Sequence, residues 1–142
     1  MKKKVKINFT DFWNDFNKED NFFWNIFSKK YDLELSDNPD ILFYSYFGNE
    51  YRRYNCIRVN FLGENRRPDF KECDFSFSFA LTPENPRNYR LPLYVMYDDL
   101  AKLTLPKNID EILKQKTNFC AFVVSNKFSQ IRLKFFHKLS KY

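Results

Sequence analysis

Residues 56–70 read CIRVNFLGENRRPDF, and the fold turns on the join in their middle. A run of strand-forming residues delivers the chain to Gly63, after which the sequence becomes polar through Glu64, Asn65, Arg66 and Arg67. Working outward, the same strand, turn and helix signals repeat. KVKINF (4–9) alternates as a strand does, TDFWNDFNKED (10–20) interrupts it, and NFFWNIFSKK (21–30) places Phe22, Phe23, Ile26 and Phe27 on one helical face. YDLEL (31–35) reads as a short strand, SDNPD (36–40) as a turn, and ILFYSYF (41–47) as a buried aromatic strand. Beyond the polar loop, DFSFSFA (74–80) sets Phe75, Phe77 and Phe79 against Ser76 and Ser78 as a half-buried strand. Strands interleaved with helices predict an α/β fold, a Rossmann-like parallel sheet of about five strands with flanking helices.

From Leu81 the stretch TPENPRNYRLPLY carries three prolines, which excludes a central strand and predicts a long structured connection. NIDEILKQK (108–116) reads as a short helix capped by Asn108, with Lys114 and Lys116 near its end. NFCAFVVSN (118–126) has the continuous apolar pattern of a strand covered on both faces. The last segment, SQIRLKFFHKLSKY, sets Ile131, Phe135, Phe136 and Leu139 on one face of a helix capped by Ser129.

The length, 142 residues, suits one ordinary domain with a real core. Aromatic residues make up 20% of the chain while glycine numbers only two, so strands and helices are expected in place of flexible linkers. A net charge of +6 favours anionic partners without choosing among them. Lys2, Lys3 and Lys4 lack the apolar stretch that would make them the start of a signal peptide, and no window approaches the ~20 apolar residues of a membrane helix. Cys56, Cys73 and Cys120 are odd in number and widely spaced, which argues against a disulfide framework or a zinc site and fits a reducing cytosol. No cofactor or metal is expected. With one histidine, His137, placed among lysines in the terminal helix, a Ser-His or Cys-His device has little support.

Three constellations can carry chemistry. In open α/β sheets the ligand lies beyond the carboxyl ends of the strands, so Glu64 stands where a catalytic carboxylate would stand; its bland reading is a solvated loop residue. FVVSNKFSQIR ends a strand and opens a helix whose first turn holds Arg132, a place suited to a phosphate, although no glycine-rich fingerprint accompanies it and an exposed helix arginine is the plain alternative. Phe12, Trp13 and Phe16 follow the first strand, where aromatic faces either stack on sugar rings or pack into the core.

Taken in order, FLGENRRPDF, then DFSFSFALTPENPRNYRLPLY, then NFCAFVVSNKFSQIRLKFFHKL resemble the bacterial α-1,3-fucosyltransferases of glycosyltransferase family 10, with KVKINFTDFW extending the resemblance to the start of the chain. The resemblance implies inverting transfer of fucose from GDP-fucose to a glycan acceptor, such as one in lipopolysaccharide, by two Rossmann-like domains facing each other in a GT-B arrangement. It makes Glu64 the general base, with Gly63 allowing a tight turn before it. It places Arg132 on the donor pyrophosphate, with Ser125 and Asn126 supporting, and Trp13, Phe12 and Phe16 on the acceptor. The expected organisation is 1–105 as the acceptor-binding domain and 106–142 as a connecting helix plus the first strand and helix of a donor domain. Family members continue into a glycine-bearing loop and a Glu-Lys segment beyond the point matched by Tyr142, so a truncated form that lacks most of the donor site, and that self-associates through uncovered apolar faces, is the expectation. The implied location is cytoplasmic, with attachment to the inner membrane of a full-length form left open. Two readings from other classes remain: a non-catalytic carbohydrate-binding or pseudoenzyme domain, and a basic nucleic-acid-binding domain. The latter suffers from 18 acidic residues spread among the basic ones and from the lack of any recognised nucleic-acid motif.

Overall fold

The computed structural model describes residues 1–97, 104–118, 120–124 and 128–141. The chain divides into two compact units, Met1–Leu103 and Thr104–Tyr142.

The first unit is built on six strands: β1 (Lys3–Thr10), β2 (Tyr31–Leu35), β3 (Ile41–Tyr44), β4 (Ile57–Leu62), β5 (Phe75–Ser78) and β6 (Asn88–Arg90). They lie in the order β2-β1-β3-β4-β5-β6, and every neighbouring pair is parallel. The Rossmann-like α/β reading therefore holds, with one strand more than expected. The additional strand, β6, comes from the proline-rich connection; it pairs only with β5, so Pro86 and Pro92 flank an edge strand and interrupt no ladder.

Alternation along the strands makes two cores. On one face Ile7, Phe9, Phe43, Val59 and Phe61 bury together with Phe23 and Leu91. Phe23 comes from helix α1 (Phe22–Phe27), whose N-cap Asn21 accepts the Trp24 N–H at 2.9 Å. Its ring packs within 5.0 Å of Phe43 and 5.3 Å of Phe61, centroid to centroid. Ile26, expected on that same face, is instead 45% exposed at a cavity rim, because so short a helix turns only Phe23 fully onto the sheet. On the opposite face Leu42 and Tyr44 bury against Tyr51 and Cys73. Tyr51 belongs to a single 3-10 turn, Glu50–Arg53. Helix α2 (Tyr94–Tyr97) follows Leu93, and Val95 and Met96 pack on the α1 face.

β3 ends at Tyr44, earlier than its aromatic run suggests, and the reason lies across the sheet. Asp11, at the end of β1, takes a left-handed φ of 59°. Its carboxylate accepts the N–H groups of Glu50 at 3.0 Å and Tyr51 at 2.8 Å, while its carbonyl accepts that of Phe47 at 3.1 Å. Asp11 thereby caps the 3-10 turn from 39 residues away and draws the β3 exit off the strand axis. A side chain on Gly48 would overlap the Asp11 carboxylate, which accounts for that glycine.

The second unit holds helices α3 (Ile109–Gln115) and α4 (Gln130–Leu139). Asn108 caps α3 as expected, accepting the Glu111 N–H at 3.2 Å. Ser129 occupies the N-cap position of α4 but makes no capping hydrogen bond with its side chain. The strand expected over 118–126 is absent among the described residues of that stretch. An isolated strand leaves its N–H and C=O groups without ladder partners, and the described part of this unit supplies none.

Candidate functional site

Strand order reverses at β1: the chain first steps to β2 on one side, then crosses to β3 on the other. The β1 exit leads to α1 on one face and the β3 exit to the 3-10 turn on the other, so the loops part beyond the carboxyl ends of β1 and β3. A cavity of about 200 Å³ opens there, with Trp13 from the β1 loop, Ser45, Tyr46 and Phe47 from the β3 loop, and Glu64 from the β4 loop in its wall.

Glu64 sits two residues past β4, exposed at the cavity mouth. The Arg66 N–H donates to the Glu64 carbonyl at 2.7 Å, closing a narrow backbone turn at the base of the Glu64 side chain. Gly63 does not act as expected, because its φ lies outside the left-handed region. A side chain there would meet Leu93 Cδ2 and Phe61 Cζ, each at 3.3 Å, so close packing is what favours glycine at this position. Behind the cavity, Ser45 Oγ donates to the Phe61 carbonyl at 3.0 Å and Asn60 Nδ2 to the Tyr44 carbonyl at 3.3 Å. These bonds lock the ends of β3 and β4 together. The Tyr46 ring stacks on Phe47 at 4.3 Å and carries the Arg66 guanidinium 4.5 Å from its centroid. Burial raises the Tyr46 phenol above its ordinary range, the Glu64 carboxylate raises it further, and Arg66 opposes both.

Trp13 and Phe61 also wall a second cavity, of about 600 Å³, within the size range of small-molecule sites. Phe12 and Phe16, stacked at 4.0 Å, line it beside Trp13, and Asp15, Asn17, Asn21 and Asn25 stand among its polar lining. An aromatic platform with amide and carboxylate groups around it suits a polyhydroxylated ligand, since sugars present both apolar ring faces and hydroxyls. The core reading of these aromatics holds, since all three pack against the core, and the same three also line the cavity.

Glu64 and Trp13 thus share one cavity, with Phe12 and Phe16 in the adjoining one. Arg132 belongs to the second unit, exposed on the first turn of α4. Ser125 and Asn126 lie outside the described residues. Asp11, which holds the crevice in shape, escaped the sequence reading; the signals available were an aspartate directly after a strand and the pairing of that strand's loop with one of only two glycines. Among the described residues no group of three His, Cys, Asp or Glu could hold a metal ion, and no helix is long and apolar enough to cross a membrane. The three cysteines are free.

Solved structures share this architecture. A crystal structure of an alpha1,3-fucosyltransferase with GDP-fucose superimposes with a TM-score of 0.65 at 22% identity, over 99% of this chain and 51% of that one. Another, with GDP, gives 0.64 at 24% identity over the same shares. A third crystal structure of an alpha1,3-fucosyltransferase gives 0.54 at 26% identity, over 66% of this chain and 29% of that one. The chain thus spans about half the length, or less, of the structures it matches. No curated protein sequence matches it. Residues 7–97 match the family described as the alpha-(1,3)-fucosyltransferase FucT N-terminal domain, a segment that runs from β1 through the Glu64 loop to α2, and the chain belongs to that family.

Proposed function

We propose that this chain supplies the acceptor side of an inverting fucosyl transfer, in a protein that pairs it with a GDP-fucose-binding half in a GT-B arrangement. The observation that carries the reading is the placement of Glu64 at the carboxyl end of β4, opening into the same cavity as Trp13. An acceptor sugar lies with a ring face on Trp13 and extends over Phe12 and Phe16. Glu64 removes the proton from the acceptor hydroxyl as its oxygen forms the new bond to the anomeric carbon of fucose. The bond from that carbon to the diphosphate breaks on the opposite side, GDP carries away the electron pair, and the configuration inverts.

On the donor side, Arg132 is assigned to the pyrophosphate by charge-assisted hydrogen bonds, with Ser125 and Asn126 supporting it. The reaction as written uses no cofactor from this chain. The reading places the protein in the cytoplasm, where a nucleotide sugar would meet a growing glycan at the inner face of the membrane.

The test is Glu64→Gln in a protein carrying both halves. The amide keeps the size of the side chain and cannot take the proton, so transfer falls by ~100-fold or more while acceptor binding is preserved. A variant that transfers fucose at nearly the original rate, with normal acceptor affinity, overturns the assignment.

A further inference from the structure

The loop that carries Glu64 also carries two arginines, and their surroundings differ from those of Arg52 and Arg53. Arg52 is paired with Glu72 at 3.3 Å and Arg53 with Glu50 at 2.5 Å. Arg66 and Arg67 have no carboxylate partner among the described residues. Both stand in the wall of a third cavity, of about 310 Å³, which shares Ser45 and Tyr46 with the cavity that holds Glu64. Of the two acids in the same wall, Glu72 is paired with Arg52, while Asp69 accepts the Lys71 backbone N–H at 2.9 Å and keeps its charge, so the two arginines outnumber the one unpaired acid. Asn60 and Asn49 add amide groups to the wall.

The backbone bond from the Arg66 N–H to the Glu64 carbonyl orders the main chain between the proposed base and the first arginine. The Arg66 guanidinium lies 4.5 Å from the centre of the Tyr46 ring, a cation–π contact that limits its freedom, and a guanidinium fork can grip a planar or tetrahedral oxyanion. Tyr46 is shared by the cavity with the base and the cavity whose wall carries Arg66 and Arg67 against the single unpaired acid Asp69. Resting on the fucosyl-transfer reading above, we infer that the acceptor is an acidic glycan whose carboxylate, sulfate or phosphate group is held by Arg66 and Arg67 while its reacting hydroxyl faces Glu64.

The donor diphosphate carries the same chemistry, but the reaction geometry directs it elsewhere. In an inverting displacement the leaving group departs opposite the attacking oxygen, so the diphosphate lies across the fucose from the base. A group bound beside Tyr46 is on the base's own side, joined to the acceptor.

The experiment is an NMR titration of the 142-residue chain with neutral disaccharides, lactose and cellobiose, each beside its sulfated form. The sulfated member of at least one pair is expected to bind about tenfold more tightly, the size of one charge-assisted hydrogen bond, with shifts at the Tyr46 amide and the Arg66 and Arg67 Nε–H groups. The preference shrinks as salt rises. In the double variant Arg66→Gln, Arg67→Gln it falls to near unity while neutral affinity changes less than twofold, and lysine at both positions restores part of it. Equal affinity within every pair, or a preference that survives in the double variant, overturns this inference and leaves the transfer reading standing. If no sugar perturbs Trp13 or Tyr46, the acceptor site itself is misplaced and both fall. GDP shifting the same two arginines more strongly than any sulfated sugar reassigns them to the donor and also overturns it.

Discussion

Two stretches of this chain look alike in sequence and differ in outcome. Residues 57–62, IRVNFL, form β4, with β3 and β5 hydrogen-bonded on either side and Val59, Phe61 and Leu62 buried. Residues 119–124, FCAFVV, are the more apolar run, yet 120–124 form no strand and Val123 is 92% exposed. The difference teaches that an apolar strand pattern states a need for partners without supplying them. In β4 the need is met by flanking ladders and by Phe23 above the sheet. In the second unit Phe122 meets the Phe135 and Phe136 rings, at 6.0 and 5.6 Å, and no ladder partner is found among the described residues.

Paired truncations provide the largest test of that contrast. Phe43 is fully buried and touches the rings of Phe9, Phe23 and Phe27 at 5.3, 5.0 and 5.4 Å. Phe43→Ala is expected to cost about 3–5 kcal/mol, the transfer term plus a cavity that surrounding rings cannot close. Phe135, 56% exposed, is expected to cost no more than about 0.5 kcal/mol as alanine. Urea unfolding followed by fluorescence measures both. Equal losses would break the comparison by showing that α4 is as deeply packed as β3.

The same contrast explains how much was legible beforehand. β1, β3, β4 and β5 were readable because apolar spacing, strand-forming residues and intervening turn or helix signals agreed within each short window. The position of Glu64 beyond a strand end was readable because a parallel sheet puts all carboxyl ends on one side and the polar loop follows a clear strand. β6 was hidden because its three residues sit between prolines. What holds it lies outside the strand itself: Asn88 donates to the Ala80 carbonyl and the Thr82 hydroxyl, both at 2.9 Å, and accepts from Ser78 Oγ at 2.8 Å. Asp11 was hidden for the same reason, since the amides it caps are 39 and 40 residues away. Arg66 and Arg67 carry no signal in the sequence, because two loop arginines acquire meaning only when the acids around them are known.

An intermediate effect contrasts the environments of two thiols. Cys73 is buried on the 3-10 face of the sheet, and Cys120 is exposed in the second unit. Burial pushes the Cys73 thiol from its ordinary 9.0 up to about 11, against the lowering effects of Tyr44 and Arg87. A raised value favours the protonated fold, so this contribution is complete below about pH 9. Between 9 and 11 the unfolded chain releases the proton while the folded one keeps it, and stability falls by about 2 kcal/mol. The Tyr44 phenol, raised by burial and then by Cys73 and Tyr51, steepens the loss above pH 10. Unfolding curves at successive pH values, repeated with Cys73→Ser and Cys120→Ser, isolate the term: only the first substitution should flatten the decline. If Cys120→Ser flattens it equally, the two units do not differ in the way their burial indicates.

The smallest effect concerns what ends β4 and holds Glu64 at its tip. If the turn required a left-handed glycine, Gly63→Ala would strain the backbone and cost more than ~1 kcal/mol. Its φ is ordinary, however, and the obstacles to a methyl group are the Leu93 methyl and the edge of the Phe61 ring, each at 3.3 Å. Leu93 ends in a rotatable isopropyl group that can give by a few tenths of an ångström, and alanine also removes some freedom from the unfolded chain, worth about 0.4–1 kcal/mol in the opposite sense. The two effects nearly cancel, so stability should stay within about 1 kcal/mol of the parent. Because Leu93 lines the Glu64 cavity, the small shift should instead appear as altered amide resonances of Tyr46 and Glu64 in that variant. A loss of several kcal/mol would show that the β4 exit is fixed by backbone conformation after all, and the packing account of the Glu64 loop would fail with it.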